Sequence, residues 1–117
     1  MGCRMISSTQ DRLPAVADAA ALASLINDPA RPTLILFDVD GHGPARRLEA
    51  RLLRLSGGEP INLARVDTDR LPALAQKFGV HGVPSLVLFR SGQAAARRLG
   101  EIDDGELQDW LDGELAA

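Results

Sequence analysis

The residues best able to do chemistry lie in one short turn, His42-Gly43-Pro44-Ala45, between an apolar run and a helical pattern. Pro44 suits the first turn of a helix, because it needs no N–H partner there and its φ angle is already helical. A side chain just before that helix faces unpaired backbone N–H groups and the positive end of the helix dipole. Such a position activates a thiolate. Here it holds a histidine, and Cys3 is the only cysteine of the chain.

His42 has two interpretations. We favour an exposed turn residue, whose protonation the adjoining helix N-terminus disfavours. The alternative makes His42 a ligand or an acid–base group together with Asp40 or His81. Two histidines and one aspartate at irregular spacing do not form a metal-binding signature, so we expect neither a bound metal nor a cofactor.

Composition restricts the class of protein. The chain has 117 residues with a formal net charge of -3, which gives no reason to expect nucleic acid or an anionic membrane as a partner. No stretch reaches the roughly 18 apolar residues of a spanning helix, and the first ten residues lack the apolar core of a signal peptide. We therefore expect a cytoplasmic protein with a flexible N-terminal segment, 1–12, and a single domain, 13–117.

Hydrophobic periodicity predicts four helices and four strands around the turn. The predicted elements are a helix over Ala15–Asn27, a strand over Thr33–Val39, a helix from Pro44 to about Ser56, a strand over Ile61–Val66, a helix capped by Asp69 and ended by Gly79, strands over Ser85–Arg90 and Gln93–Leu99 joined by a Ser91-Gly92 hairpin, and a last helix capped by Asp103 with Glu106. A short edge strand near Met5–Ser7 is a further prediction.

This order of elements and several local sequences resemble the thioredoxin family, from about Asp18 to Leu115. Gly43-Pro44 is similar to the family's active-site turn, and the run from Lys77 to Phe89 is similar to its segment around a cis-proline, with Pro84 in that place. The resemblance implies a three-layer α/β/α fold, with a central mixed sheet of four to five strands and helices on both faces. It also implies a groove for extended polypeptide, formed by His42, Gly43, Pro44, Ala45, Gly82, Val83 and Pro84.

The departures from the family pattern concern its chemistry. The family motif is Cys-Gly-Pro-Cys, so in His42-Gly43-Pro44-Ala45 both the attacking and the resolving thiol are absent. Thiol–disulfide exchange requires thiolate attack, which excludes the standard dithiol reaction. Leu36 stands where the family usually has a buried aspartate, and Arg65 stands where it often has a lysine. We therefore expect a site without that buried carboxylate, in which Arg65 has lost its acidic partner.

Charge is distributed unevenly along the chain. The predicted motif helix carries Arg46, Arg47, Arg51 and Arg54, opposed only by Glu49, whereas the stretch 101–114 is acidic throughout. Solvated helix faces are the interpretation that we favour. The alternative is a docking surface for a charged partner, with Arg46 and Arg47 as candidate docking charges.

The leading hypothesis is a redox-inactive thioredoxin-fold protein that binds another protein, through an extended segment or client, as a chaperone or adaptor. The alternative is an enzyme with thiol–disulfide oxidoreductase-like activity or an activity dependent on His42. The missing motif cysteines favour the first hypothesis, with no catalytic residue assigned. We expect a monomer or a weak homodimer.

Overall fold

The computed structural model describes residues 13–39, 43–55, 61–100 and 102–116, with backbone only at 43–46, 55, 115 and 116. The helices are α1 (Ala19–Ile26), α2 (Gly43–Leu55), α3 (Pro72–Lys77) and α4 (Asp104–Ala116), and the strands are β1 (Thr33–Asp38), β2 (Asn62–Asp67), β3 (Ser85–Arg90) and β4 (Gln93–Leu99). No helix within these ranges is long and apolar enough to cross a membrane.

The four strands form one mixed sheet in the order β2-β1-β3-β4. β1 pairs in parallel with β2, and antiparallel with β3, which in turn pairs antiparallel with β4. All six residues of β1 are buried, as its continuous apolar sequence predicts for a central strand covered on both faces. The predicted mixed sheet with helices is confirmed.

Alternate residues of the central strands divide the core into two clusters. Leu34 and Leu36 of β1 pack toward α2 and α4, together with Leu48 and Leu107. The intervening residues of β1 pack toward α1 and α3, in a cluster that includes Phe89. The sheet therefore has a helical layer on each face, which gives the three-layer α/β/α arrangement.

The first helix begins later than its sequence pattern predicts. Asp18 caps it by accepting a hydrogen bond from the N–H of Ala21 at 2.9 Å, so α1 starts at Ala19. The preceding residues are extended, because Arg65 in β2 donates its N–H to Pro14 and accepts the N–H of Val16, each at 2.9 Å. This segment is a short bridge at the edge of the sheet. The edge strand predicted near Met5–Ser7 lies outside the described residues.

Local capping explains the other helix boundaries. The predicted capping box of α4 is confirmed, since Asp103 Oδ1 accepts the N–H of Glu106 at 2.8 Å. The predicted cap of α3 is wrong. The Asp67 carboxylate accepts the N–H of Asp69 at 2.9 Å, which keeps Asp69 in a turn, and α3 starts only at Pro72.

Candidate functional site

The motif helix α2 begins at Gly43, with Pro44 in its first turn as its sequence predicts. The first amides of such a helix have no partner within it, so they face the turn that precedes the helix. His42, and with it Asp40, lies outside the described residues. The structure therefore places Gly43, Pro44 and Ala45 by their backbone, and the two interpretations of His42 remain predictions.

The second part of the predicted groove is the loop before β3, and the Val83–Pro84 peptide bond in it is cis. Two hydrogen bonds hold this loop. Ser85 Oγ donates to the carbonyl of Gly82 at 2.6 Å, and the N–H of Gly100 donates to the carbonyl of Pro84 at 2.8 Å. Pro84 is buried, while Gly82 and Val83 are half-buried.

Strand register brings the motif and the proline loop to the same end of the sheet. Phe37 of β1 pairs with Ser85 of β3 in the antiparallel ladder. The same register continued by one residue sets Asp38, at the end of β1, opposite Pro84. The end of β1 and the proline loop therefore lie at the same edge of the sheet. That the motif turn completes a groove there remains a prediction.

Leu99 lies beside the proline loop, which the sequence did not indicate. It is the one exposed large hydrophobic side chain among the described residues, with 69% of its surface accessible. It lies over Gly82, where a Cβ atom would stand only 3.0 Å from Leu99 Cδ1. The contact adds an apolar rim beside the proline loop, which a side chain at position 82 would disturb.

His81 lies on the same side of the proline loop. It is exposed, and with Val80 and Leu99 it lines a small cavity of about 170 Å³. The described residues contain no group of three or more potential metal ligands. A pairing of His81 with His42 remains a prediction, because His42 is not described.

The position of the family's buried aspartate is apolar, but two carboxylates are buried at other positions. Leu36 itself is apolar, but Asp38 follows on the same face of β1 and is only 7% exposed. Glu49 of α2 is 2% exposed and accepts a hydrogen bond from the N–H of Leu13. Two acids are therefore buried on the α2 side of the sheet, at positions other than the one inferred from the resemblance.

Arg65 lacks the acidic partner that the family has at the position of Leu36, but it has a different one. Arg65 Nε lies 3.7 Å from Glu49 Oε2 and donates a hydrogen bond to the carbonyl of Leu13 at 3.0 Å. A buried carboxylate requires such partners, because desolvation of an ion without them costs several kcal/mol. We call Leu13, Glu49 and Arg65 the buried clasp, since they join the residues before α1 to α2 and β2.

The basic face of α2 is partly matched within the chain. Arg51 Nε lies 3.1 Å from Asp104 Oδ1, and Arg54 donates to both oxygens of the same carboxylate at 3.0 Å. The acidic beginning of α4 thus pairs with the motif helix. Because Arg51 and Arg54 contact Asp104 of the same chain, these two arginines need no docking partner. Arg47 is exposed, and the side chain of Arg46 is not described.

Comparison with known proteins agrees with this geometry. The family model of thioredoxin matches residues 14–113. Thioredoxin of Rhodospirillum rubrum is 29% identical over 86 residues, which are 72% of this chain and 83% of that protein. Chloroplastic thioredoxin X of Arabidopsis thaliana is 30% identical over 97 residues, which are 80% of this chain but only 53% of that protein, so the chain spans about half of its length.

Solved structures show the same fold. A mutant thioredoxin from Halobacterium salinarum superimposes with a TM-score of 0.79 and 31% identity, over 89% of this chain and 91% of that one. A three-layer α/β/α domain with a cis-proline loop beside a helix N-terminus is therefore the class that fold and site define. The chain belongs to the thioredoxin family.

Proposed function

We propose that this protein is a redox-inactive member of its family that binds an extended segment of another protein. The observation that carries the proposal is a contrast within the site. The cis Val83–Pro84 bond and the Gly43-Pro44 helix start are both present. The motif has no cysteine, and the one cysteine of the chain is Cys3. The scaffold for binding is thus kept without the thiols for exchange.

The groove offers groups suited to an extended chain. The proline loop is held by hydrogen bonds from Ser85 and Gly100, so its backbone does not need to be ordered on binding. Preorganisation of this kind favours affinity, because less conformational entropy is lost. Leu99 adds exposed apolar surface next to Gly82, which suits an aliphatic side chain of the bound segment. A chaperone or adaptor role follows from binding without turnover.

An insulin-reduction assay separates this proposal from the enzyme alternative. We expect turnover no faster than the dithiothreitol background, with the same result for Cys3→Ser, because the dithiol reaction needs a second, resolving thiol and the chain has one cysteine. His42→Ala serves as the second variant and should also leave the background unchanged. Turnover above background that is lost in Cys3→Ser or His42→Ala would overturn the proposal.

Binding is tested with an array of extended peptides and two variants. Pro84→Ala alters the loop at the centre of the groove, and Val83→Asp places a charge where we expect an apolar contact. We expect both to weaken peptide binding at least tenfold. Gln93→Asp, at the far end of β4, is the matched control and should leave binding unchanged. Circular dichroism confirms folding of each variant, and equal binding by all three would contradict the groove.

A further inference from the structure

A second surface lies along β4, an edge strand that pairs only with β3 among the described strands. The ladder between β3 and β4 pairs Leu86 with Arg98 and Ser85 with Leu99. In the same register, the N–H of Gly100 donates to Pro84 at 2.8 Å. Along an antiparallel strand, the backbone N–H and C=O of one residue point toward the neighbouring strand, and those of the next residue point away from it. The N–H and C=O of Arg98 therefore point to β3, and those of Arg97 and Leu99 point away from the sheet.

The side chains beside this edge have a defined chemistry. Arg97 and Leu99 lie on the face of the sheet that contains the 170 Å³ cavity next to Val80 and His81. Arg98 also borders that cavity, but it pairs with Leu86, so its side chain lies on the opposite face of the sheet. None of the described lining residues is acidic. An aliphatic side chain matches the size of the cavity, and the arginines on the two faces of this edge complement carboxylates.

We propose that the edge of β4 from Arg97 to Leu99 binds an extended acidic segment of a partner protein, which adds as a further strand to the sheet. Backbone hydrogen bonds to Arg97 and Leu99 hold the segment, and an aliphatic side chain enters the cavity. Acidic side chains next to the aliphatic residue face Arg98 on the other side of the sheet, and an acidic side chain two residues away faces Arg97. This surface shares Leu99 and Gly82 with the rim of the proline loop, but its binding groups are the backbone edge of β4 and the two arginines, so it does not require the function proposed above.

Charge distinguishes this occupant from a second copy of the chain. An antiparallel pair of two β4 edges centred on Arg97 would set the two Arg97 side chains opposite each other, and one centred on Arg98 would do the same with the two Arg98 side chains. Like charges directly opposite are destabilising. The residues before this stretch are less suited to pairing, because an extra residue, Ala95, interrupts the ladder between Leu88 and Phe89. The regularly paired, basic stretch from Arg97 to Leu99 therefore favours binding of an acidic strand.

The test is a titration of ¹⁵N-labelled protein with an acetylated octapeptide that carries glutamates on both sides of a central leucine. We expect saturable shifts and slowed hydrogen exchange at the amides of Arg97 and Leu99. Lysines in place of the glutamates should abolish these changes. N-methylation of the two amides next to the leucine should weaken binding about tenfold, because it removes backbone hydrogen bonds without altering charge.

Two variants with equal net charge make the test specific. Arg97→Glu should weaken binding of the acidic peptide about fivefold or more, whereas Arg31→Glu, an exposed residue in the loop before β1, should not. Absence of saturation at millimolar peptide, equal binding of the lysine peptide, or peptide-independent dimers through β4 would overturn the proposal.

Discussion

The buried clasp predicts a large effect from one substitution far from the motif turn. Glu49→Gln keeps the volume of the side chain, and the amide oxygen can still accept the N–H of Leu13. The variant loses the negative charge that faces Arg65 Nε at 3.7 Å. Hydrogen bonds to charged groups contribute about 1.5–3 kcal/mol. We expect Glu49→Gln to lower the free energy of unfolding by about 1–2 kcal/mol.

Glu49→Ala should cost more, about 3 kcal/mol, because it leaves the Leu13 N–H without its acceptor and Arg65 without its opposite charge. We take the low end of the range for broken buried pairs, since the Arg65 side chain is 23% exposed and keeps its bond to the Leu13 carbonyl. Urea denaturation measures the change, and Asp109→Asn, an exposed acid of α4, is the control. The clasp would be refuted if the free energy of unfolding of both Glu49 variants stayed within about 0.5 kcal/mol of the parent value, as it does for surface substitutions.

A double-mutant cycle with Arg65→Met isolates the pair. Removal of both charged groups should cost about 1 kcal/mol less than the sum of the single changes, because neither group is then buried without its partner. Hydrogen exchange provides a local readout. The N–H of Val16 bonds to the Arg65 carbonyl, so Glu49→Ala should increase its exchange rate more than it increases the exchange rates of the amides of the central strand β1. Additive costs and unchanged exchange would mean that Glu49 acts only by filling space.

Three further predictions concern stability and titration. Gly92→Ala should cost about 1–2 kcal/mol in urea denaturation, because the φ angle of Gly92 is +85° and a Cβ there would clash with Asn27 Oδ1. Gly113→Ala should instead stabilise the protein by up to about 1 kcal/mol, because Gly113 lies in α4 and a Cβ there would meet no atom within 4 Å. Asp103→Ala should cost about 1 kcal/mol through loss of the α4 cap, and Asp103→Asn should retain most of it; equal losses would contradict the cap. The Asn62 amide donates to Asp28 and lowers the pKa of that carboxyl, so NMR titration should show a higher Asp28 pKa in Asn62→Ala. The stability linked to the lowered pKa is present at neutral pH and is lost as the pH falls through the folded-state pKa. An unchanged Asp28 pKa in the variant would refute this cause.

Much of the fold could be predicted from local sequence. The apolar run in β1 indicates a central strand, and Ser91-Gly92 indicates a two-residue hairpin; both residues have positive φ angles, 51° and 85°, as a type I′ turn requires. Pro44 and Asp103 mark the starts of α2 and α4. These signals are local, because each depends on backbone conformation or on side chains within one helical turn.

The missed features depend on contacts between distant parts of the chain. Glu49 has the sequence character of a surface charge, and its partners, Leu13 and Arg65, lie far from it in sequence. Asp104 meets Arg54 across 50 positions. Charge patterning along one helix cannot reveal such pairs, so the sequence indicates only separate basic and acidic solvated faces. Helical periodicity likewise included Ala15 in the first helix, because the pattern does not show that β2 holds this segment extended.

Leu99 was missed for a different reason. Counting back from the Arg90–Gln93 pair of the hairpin, a regular ladder would set Arg98 opposite Ser85. The extra residue Ala95 shifts the pairing by one, and Leu99 takes that place instead. Because alternate residues of a strand face opposite sides of the sheet, this shift moves Leu99 from one face to the other. A bulge of this kind has no distinct signature in a run of three alanines.

The length of β4 therefore determines what surrounds the proline loop. Deletion of Ala95 would turn β4 into a regular strand and leave Leu99 paired with Ser85, so the apolar rim over Gly82 would persist. Insertion of one residue after Ala96 would rotate Leu99 to the side of α2 and α4 and bring a polar neighbour to Gly82. Homologues with one residue fewer in this hairpin can present the same rim, and a comparison of these proteins should count residues from Gly100 rather than from the hairpin turn.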